Sequence, residues 1–189
     1  MKKIGLVMVM GLLLLTACKT KEKEAKKDVE QSLPQESYVW NRSEDDNNQV
    51  LTKTLVFPEV DGVTQKQIIR YQGKQWLGLT LEQTQPANDE VKGALGDYGL
   101  EETQKALDES LTRDENYQAV KDLAGFSYSI KLSEDGQLLL TTTYDFTKFQ
   151  VAKMKGYAYF KESNIPEMME SSPSKYIESR ISNGAKLVE

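Results

Sequence analysis

From Gln49 onward the chain alternates apolar and polar residues with a period of two. Leu51, Leu55 and Phe57 fall on one face of a first strand, and Asp61-Gly62 supplies a tight turn. Val63, Ile69 and Tyr71 share the face of a second strand, Gly73-Lys74 turns again, and Leu77, Leu79 and Leu81 line a third, with Trp76 on the opposite face. Three such strands in succession predict an antiparallel meander. From Leu100 the period lengthens: Leu100, Leu107 and Leu111, flanked by Thr103 and Ala106, make one helical stripe, while Glu101, Glu102, Asp108 and Glu109 face out. A second short helix is expected over about Asn116 to Ala124, closed by Gly125, a residue suited to a left-handed C-terminal cap.

The clearest alternation follows. Phe126, Tyr128, Ile130 and Leu132 are interleaved with Ser127, Ser129, Lys131 and Ser133, and Glu134-Asp135-Gly136 leads into Leu138, Leu140, Thr142, Tyr144 and Phe146. That reads as a half-buried hairpin whose inner face the helices cover. The remainder, from Thr147, mixes short amphipathic stretches with turns at Pro166 and Pro173, and ends in a helix from about Ser174 to Ser182 that Asn183-Gly184 stops. Strands, helices, strands and a helical close predict an α+β fold: an antiparallel β-sheet, meander plus hairpin, with helices packed on one face.

Ahead of this domain the pattern is of another kind. Lys2 and Lys3 precede an uncharged apolar run, Ile4 to Leu15, broken only by glycines. It is too short to cross a bilayer, which takes roughly 20 helical residues. It reads as the apolar core of a signal peptide over residues 1–17. Leu15-Thr16-Ala17-Cys18 then follows as a bacterial lipobox, an aliphatic residue, two small residues and a cysteine. Cys18 is expected to carry S-diacylglycerol and an N-acyl group. Two or three acyl chains anchor a protein where one holds only marginally. The expected location is therefore extracytoplasmic, with the chain lipid-anchored to the cell membrane. Lys19 to about Glu36 is rich in Lys and Glu, with only Val29 and Leu33 as sizeable apolar residues. Such a stretch cannot bury enough surface to offset ordering entropy, so residues 18–48 are expected to be a lipidated, disordered tether ahead of a single α+β domain over 49–189.

Composition narrows the chemistry. Cleavage after Ala17 removes Lys2 and Lys3 and no acid, leaving 22 basic residues against 29 acidic, a net charge of −7. An acidic domain of that sort repels nucleic acid. Cys18 is the one cysteine, so no intrachain disulfide can form, and the chain has no histidine. Imidazole and thiolate metal sites, Ser-His-Asp and Cys-His nucleophile systems are thereby excluded. No cofactor is expected.

The remaining candidates are weaker in chemistry. Glu44-Asp45-Asp46-Asn47-Asn48 lacks the alternating ligand spacing of a calcium loop and reads as a solvated loop. Asp89-Glu90 and Asp114-Glu115 are adjacent acids of the kind usually solvated in turns, and no metal site is assigned to them. Met168-Met169 reads as core filling beneath a loop. Flat amphipathic rings suit sugar or peptide contacts. Trp76, opposite the Leu77-Leu79-Leu81 set, is the best single candidate for an exposed contact, and Tyr157 and Tyr159, close together in a stretch of weak periodicity, are further candidates for a binding surface. Tyr71, Tyr128 and Tyr144 are core.

The run from Leu100 through Met154 carries a family likeness: Glu101-Glu102-Thr103-Gln104-Lys105-Ala106-Leu107, Tyr117 to Gly125, Tyr128-Ser129-Ile130 and Thr143-Tyr144-Asp145-Phe146. In these the chain resembles the YehR-like family of small bacterial lipoproteins, from about Leu51 to the closing helix, Gly184 and Val188. The resemblance implies an α+β domain behind a lipobox and transfers no site residues. Ala185 departs from it, standing after the glycine where an aromatic residue is expected.

The function expected is that of a membrane-anchored, non-catalytic binding module of the cell envelope, engaging an envelope protein or a small ligand through the sheet face. The alternative is a carboxylate-based envelope enzyme such as a glycan hydrolase, which needs two acids roughly 5–9 Å apart.

Overall fold

The computed structural model describes residues 48–188. The signal peptide, the lipobox with Cys18, and the tether up to Asn47 lie outside the described residues.

The meander forms as the alternation predicts: β1 (Val50–Val56), β2 (Thr64–Gln72) and β3 (Gln75–Pro86), each antiparallel to the next. A helix, α1 (Asp89–Arg113), and a single turn, α2 (Glu115–Gln118), lead to the hairpin β4 (Phe126–Leu132) and β5 (Gln137–Asp145). Two 3-10 turns, Val151–Gly156 and Ala158–Phe160, precede α3 (Ile165–Met168), α4 (Pro173–Ser182) and a short terminal strand, β6 (Lys186–Val188). All pair into one six-stranded antiparallel sheet in the order β4-β5-β3-β2-β1-β6.

One face of this sheet is the core. Leu55, Ile69, Tyr71, Leu79, Leu81, Phe126 and Tyr144 pack beneath Phe160, Ile165, Met168, Tyr176 and Ile177 of the C-terminal segments. A smaller cluster joins Val91 and Leu107 of α1 to Ile130 and Leu132 of β4. Two polar pairs lie on this face: Tyr176 Oη donates to Gln67 Oε1 at 2.8 Å, and Gln83 Nε2 donates to Gln85 Oε1 at 2.6 Å. Met168 is core filling as expected, with Met169 packed against the same cluster.

Three elements differ from the sequence expectation. First, α1 begins at Asp89, a full segment earlier than Leu100, because Asn88 caps it: its Oδ1 accepts from Val91 N at 2.8 Å. The two parts meet at Gly99, whose φ of 79° is outside the helical range, and the apolar stripe becomes continuous only after that kink. Second, the helix expected over Asn116 to Ala124 is only the turn α2, capped by Asp114, with hydrogen-bonded turns running on to Gly125. Gly125 has the left-handed conformation expected of it, φ 81°, and its Cα sits where a Cβ would lie 2.5 Å from Asp145 O. That close approach lets the turn seat on the end of β5. Third, Ala185 is buried beside β6, where Leu187 pairs with Leu55, so the smaller side chain is accommodated in the core wall.

Candidate functional site

The face of the sheet turned away from the helices can be read directly from the strand register, since directly opposed residues of antiparallel strands point the same way. One row runs across all six strands: Val188, Thr54, Ile68, Thr80, Thr143 and Ser127. The next row is Lys186, Val56, Lys66, Glu82, Thr141 and Ser129. On either side lie Thr64, Thr84, Leu139 and Lys131, and Thr52, Arg70, Gly78 and Asp145. Among the described residues, no side chain on this face is buried, and Val56, Ile68 and Leu139 are half-buried.

The chemistry of the face is hydroxyl and methyl groups with internally paired charges. Thr80 Oγ1 and Thr143 Oγ1 are 3.3 Å apart across β3 and β5. Lys66 Nζ donates to Glu82 Oε2 at 2.9 Å. Arg70 lies across Gly78 towards Asp145, Nη2 to Oδ1 3.9 Å, and Lys148 Nζ approaches the other oxygen at 3.4 Å. A Cβ on Gly78 would meet Tyr144 O at 3.2 Å and Arg70 Nε at 3.7 Å, so glycine leaves the guanidinium its path. Asp145 is held below the usual carboxylate value, first by the Thr147 hydroxyl, which donates to Oδ1 at 2.5 Å, and then by the Thr147 N–H and Lys148. The acid at this edge is thus committed to local partners and stays ionised.

The two sheet edges are treated differently. On β4, Gln104 of α1 acts as a strand substitute: its Nε2 donates to Ile130 O at 3.0 Å and its Oε1 accepts from Leu132 N at 2.7 Å. A side-chain amide thereby satisfies backbone groups that an edge strand would otherwise leave open to another chain. On the far side, β6 pairs with β1 only over Thr54–Val56.

The residues singled out from the sequence do not form a shared exposed surface. Trp76 is a correction: it is 5% exposed, its Nε1 donates to Ser171 O at 3.0 Å, and its ring meets Tyr176 edge-on at 5.4 Å. The cause is a register shift at Arg70/Tyr71, where Tyr71 pairs with Trp76 while Arg70 pairs with Gly78. The extra residue flips the alternation, so Trp76 points inward and Leu77 is displaced from the inner face. Tyr157 and Tyr159 stand apart from it. Both are half-buried and packed against the core, Tyr159 edge-on to Phe160 at 5.1 Å and Phe126 at 5.5 Å. Burial, reinforced by Tyr128, Tyr144, Tyr117 and Asp114, raises the Tyr159 hydroxyl well above its ordinary pKa. Asp89 and Glu90 occupy the first turn of α1 and Asp114 follows its last, so the two acid pairs stand at opposite ends of that helix. Among the described residues no group of three or more carboxylates could hold a metal ion.

With this geometry in hand, the comparisons are specific. A family model of the YehR-like kind matches residues 50–180, well over half of the chain. The chain belongs to the YehR-like family. The match begins at β1 and ends within α4, so it takes in the meander, the α1 crossover and the hairpin. Among solved structures, the NMR structure of a protein from Streptococcus pneumoniae TIGR4 is similar at 35% identity, covering 89% of this chain and 99% of that one, with a TM-score of 0.69. The NMR structure of the E. coli YehR protein is similar at 12% identity, covering 75% of this chain and 92% of that one, with a TM-score of 0.48. No curated protein matches the chain. Sequence reasoning had the YehR-like family right but missed the outer face as a composed surface. Its signal was present in the polar half of the alternation, Thr52, Thr54, Thr80, Thr84, Thr141 and Thr143, which stood opposite the residues read as core.

Proposed function

We propose that this YehR-like protein is a lipoprotein anchored through acylated Cys18 on the extracytoplasmic side of the cell membrane, where it works as a non-catalytic binding module through the open face of its sheet. The observation that carries the reading is the makeup of that face. A surface kept only for solubility tends to carry long charged side chains with both signs interspersed. Here short hydroxyl side chains, Thr54, Thr80, Thr141, Thr143, Ser127 and Ser129, make up half of the two central rows, and the charges beside the threonines are paired as Lys66–Glu82 and Arg70–Asp145. Threonine has few χ1 states to lose, so a partner that hydrogen-bonds to these hydroxyls and covers Val56, Ile68 and Leu139 meets a preorganised surface at low entropic cost.

The lipobox supports the anchor and the absence of histidine supports a binding role over acid–base or nucleophilic catalysis. Partners of the module are an envelope protein or a small envelope ligand; its acidic charge disfavours nucleic acid. A crosslinking pull-down from intact cells tests this, comparing the wild type with Cys18→Ala. Recovery of one defined partner with the anchored form alone is the expected result. Recovery of the protein by itself from both would contradict the reading and favour a substrate search for a carboxylate-based enzyme.

A further inference from the structure

The β1 edge of the sheet lacks the protection given to β4. On β4 the Gln104 amide occupies Ile130 O and Leu132 N. On β1, β6 pairs with Thr54, Leu55 and Val56, and among the described residues no strand lies beside Val50 and Thr52. The direction of their backbone groups follows from the ladder. Phe57 N donates to Gln65 O at 2.9 Å, one step beyond the Val56/Lys66 pair, and bonded residues alternate along an antiparallel pair. Leu51 and Leu55 therefore bond β2, whereas Val50, Thr52, Thr54 and Val56 aim N–H and C=O at the opposite side. Thr54 and Val56 meet Val188 and Lys186 of β6 there. Val50 and Thr52 each present an N–H and a C=O at an open edge, and both residues are exposed.

This strip is its own complement. In an antiparallel pairing of two copies centred on Leu51, Val50 of each lies opposite Thr52 of the other, and every open group of both strips is bonded. Other registers waste groups. Thr52 against Thr52 sets Val50 against Thr54, which already serves β6, and Val50 against Val50 sets Thr52 against Asn48, beyond β1. The side chains agree with the Leu51-centred register. Val50, Thr52, Thr54 and Val188 share the outer face, so Val50 of one copy comes into line with Val188 of the other, about 7 Å away along the strand direction. These are exposed apolar residues, at 55% and 42%, and the two-fold brings them together twice. The chain ahead of β1 leaves room for the partner's β6. It bends at Gln49, and Gln72 Nε2 holds Asn48 beside β2, donating to its O at 2.6 Å and its Oδ1 at 2.9 Å.

We propose that the open half of β1 pairs with the same segment of a second copy, joining two six-stranded sheets into one. The two-fold axis stands perpendicular to the sheet, so the outer faces run on into each other. The pairing does not depend on the binding reading above. It is tested by disulfide trapping in whole cells expressing the full chain, with copper phenanthroline as oxidant. Leu51→Cys sets two thiols on the two-fold, on Cα atoms about 4.5 Å apart and within disulfide reach, whereas Thr52→Cys sets them about 8 Å apart and beyond it. A covalent dimer is expected from Leu51→Cys, at least about tenfold less from Thr52→Cys, and none from the wild type, whose one cysteine is Cys18. Adding Thr52→Pro to Leu51→Cys removes an N–H aimed at the partner and none aimed at β2, and should abolish the dimer. The wild type supplies a reading free of substitution: the strip is short, so the Val50 and Thr52 amide resonances should shift as the ratio of full chain to detergent micelles is raised, while those of Ile130 and Leu132 stay in place. The proposal is overturned if Leu51→Cys crosslinks no better than Thr52→Cys, if Thr52→Pro leaves the yield unchanged, or if the wild-type amides do not respond to that ratio. Val50 and Thr52 amides protected from exchange at every dilution would place a different polypeptide on the edge and overturn it as well.

Discussion

Replacing Trp76 by phenylalanine keeps an aromatic ring against Tyr176 but removes the indole N–H that bonds Ser171 O at 3.0 Å. A half-buried carbonyl loses its partner and the core loses volume, so the cost is expected to be about 2–4 kcal/mol in a urea unfolding experiment. A nearly neutral substitution would show that Trp76 is not the clamp between β3 and the segment ahead of α4. Trp76 also shows where period-two reading fails. Alternation is conserved along a regular strand, and one bulge reverses it: Leu77 is the extra residue of β3, so Trp76 turns inward while Tyr71 opposite keeps the inner face. No local residue signal announces that bulge. By contrast Gly125 was legible, because the conformation it adopts, φ 81°, is one that few other residues reach without strain.

Tyr128 makes a second prediction at this scale. Its pKa is raised from 10.0 to about 12, chiefly by burial. In the unfolded chain the phenol ionises first, so the stability its neutral form contributes is complete below pH 10 and drains away as pH rises towards 12. Tyrosinate absorbance followed against pH should show a late-titrating class that merges with the ordinary tyrosines on unfolding in urea. Tyr128→Phe should remove one member of that class.

At the scale of elements, the decisive side chain is Gln104. It bonds Ile130 O and Leu132 N on the free edge of β4, and its Nε2 also reaches Asp108 Oδ1 at 2.9 Å. Gln104→Leu keeps the bulk but strands a strand-edge carbonyl and N–H beneath the helix. A loss of about 2–3 kcal/mol is expected, with faster amide hydrogen exchange at Leu132. Unchanged exchange there would show that α1 shields the edge without the amide. The strands of the hairpin could be read because both faces are patterned, large residues inward and serines outward. The first half of α1 could not: Gly93 and Gly96 weaken its helical signal, and Val91 and Leu95 are its few inward-facing residues. What makes it helical is the Asn88 cap and its docking against Ile130 and Leu132, a tertiary cause.

For the whole molecule, the sequence carried the α+β class and the order of elements, because each period change marks a boundary. It did not carry the sheet order. β5, the second strand of the hairpin, pairs with β3 and carries β4 to the edge, which follows from α1 crossing the inner face and returning the chain outside β5. Nor did it reveal the outer face, since that surface exists only once β1, β2, β3 and β5 stand side by side and bring Thr54, Ile68, Thr80 and Thr143 into one row. Among the described residues the helical segments pack on the inner face and leave the outer face open, and the functional reading depends on that property.

That reading is tested most directly by photo-crosslinking in intact cells, with a benzophenone amino acid placed in turn at Thr80 and Thr143 on the outer face and at Glu102 on the exposed side of α1. The account predicts one discrete adduct from Thr80 and Thr143, absent from Glu102 and lost when Cys18→Ala releases the protein from the membrane. Adducts from Glu102 alone, or none above background from either outer-face position, would contradict it.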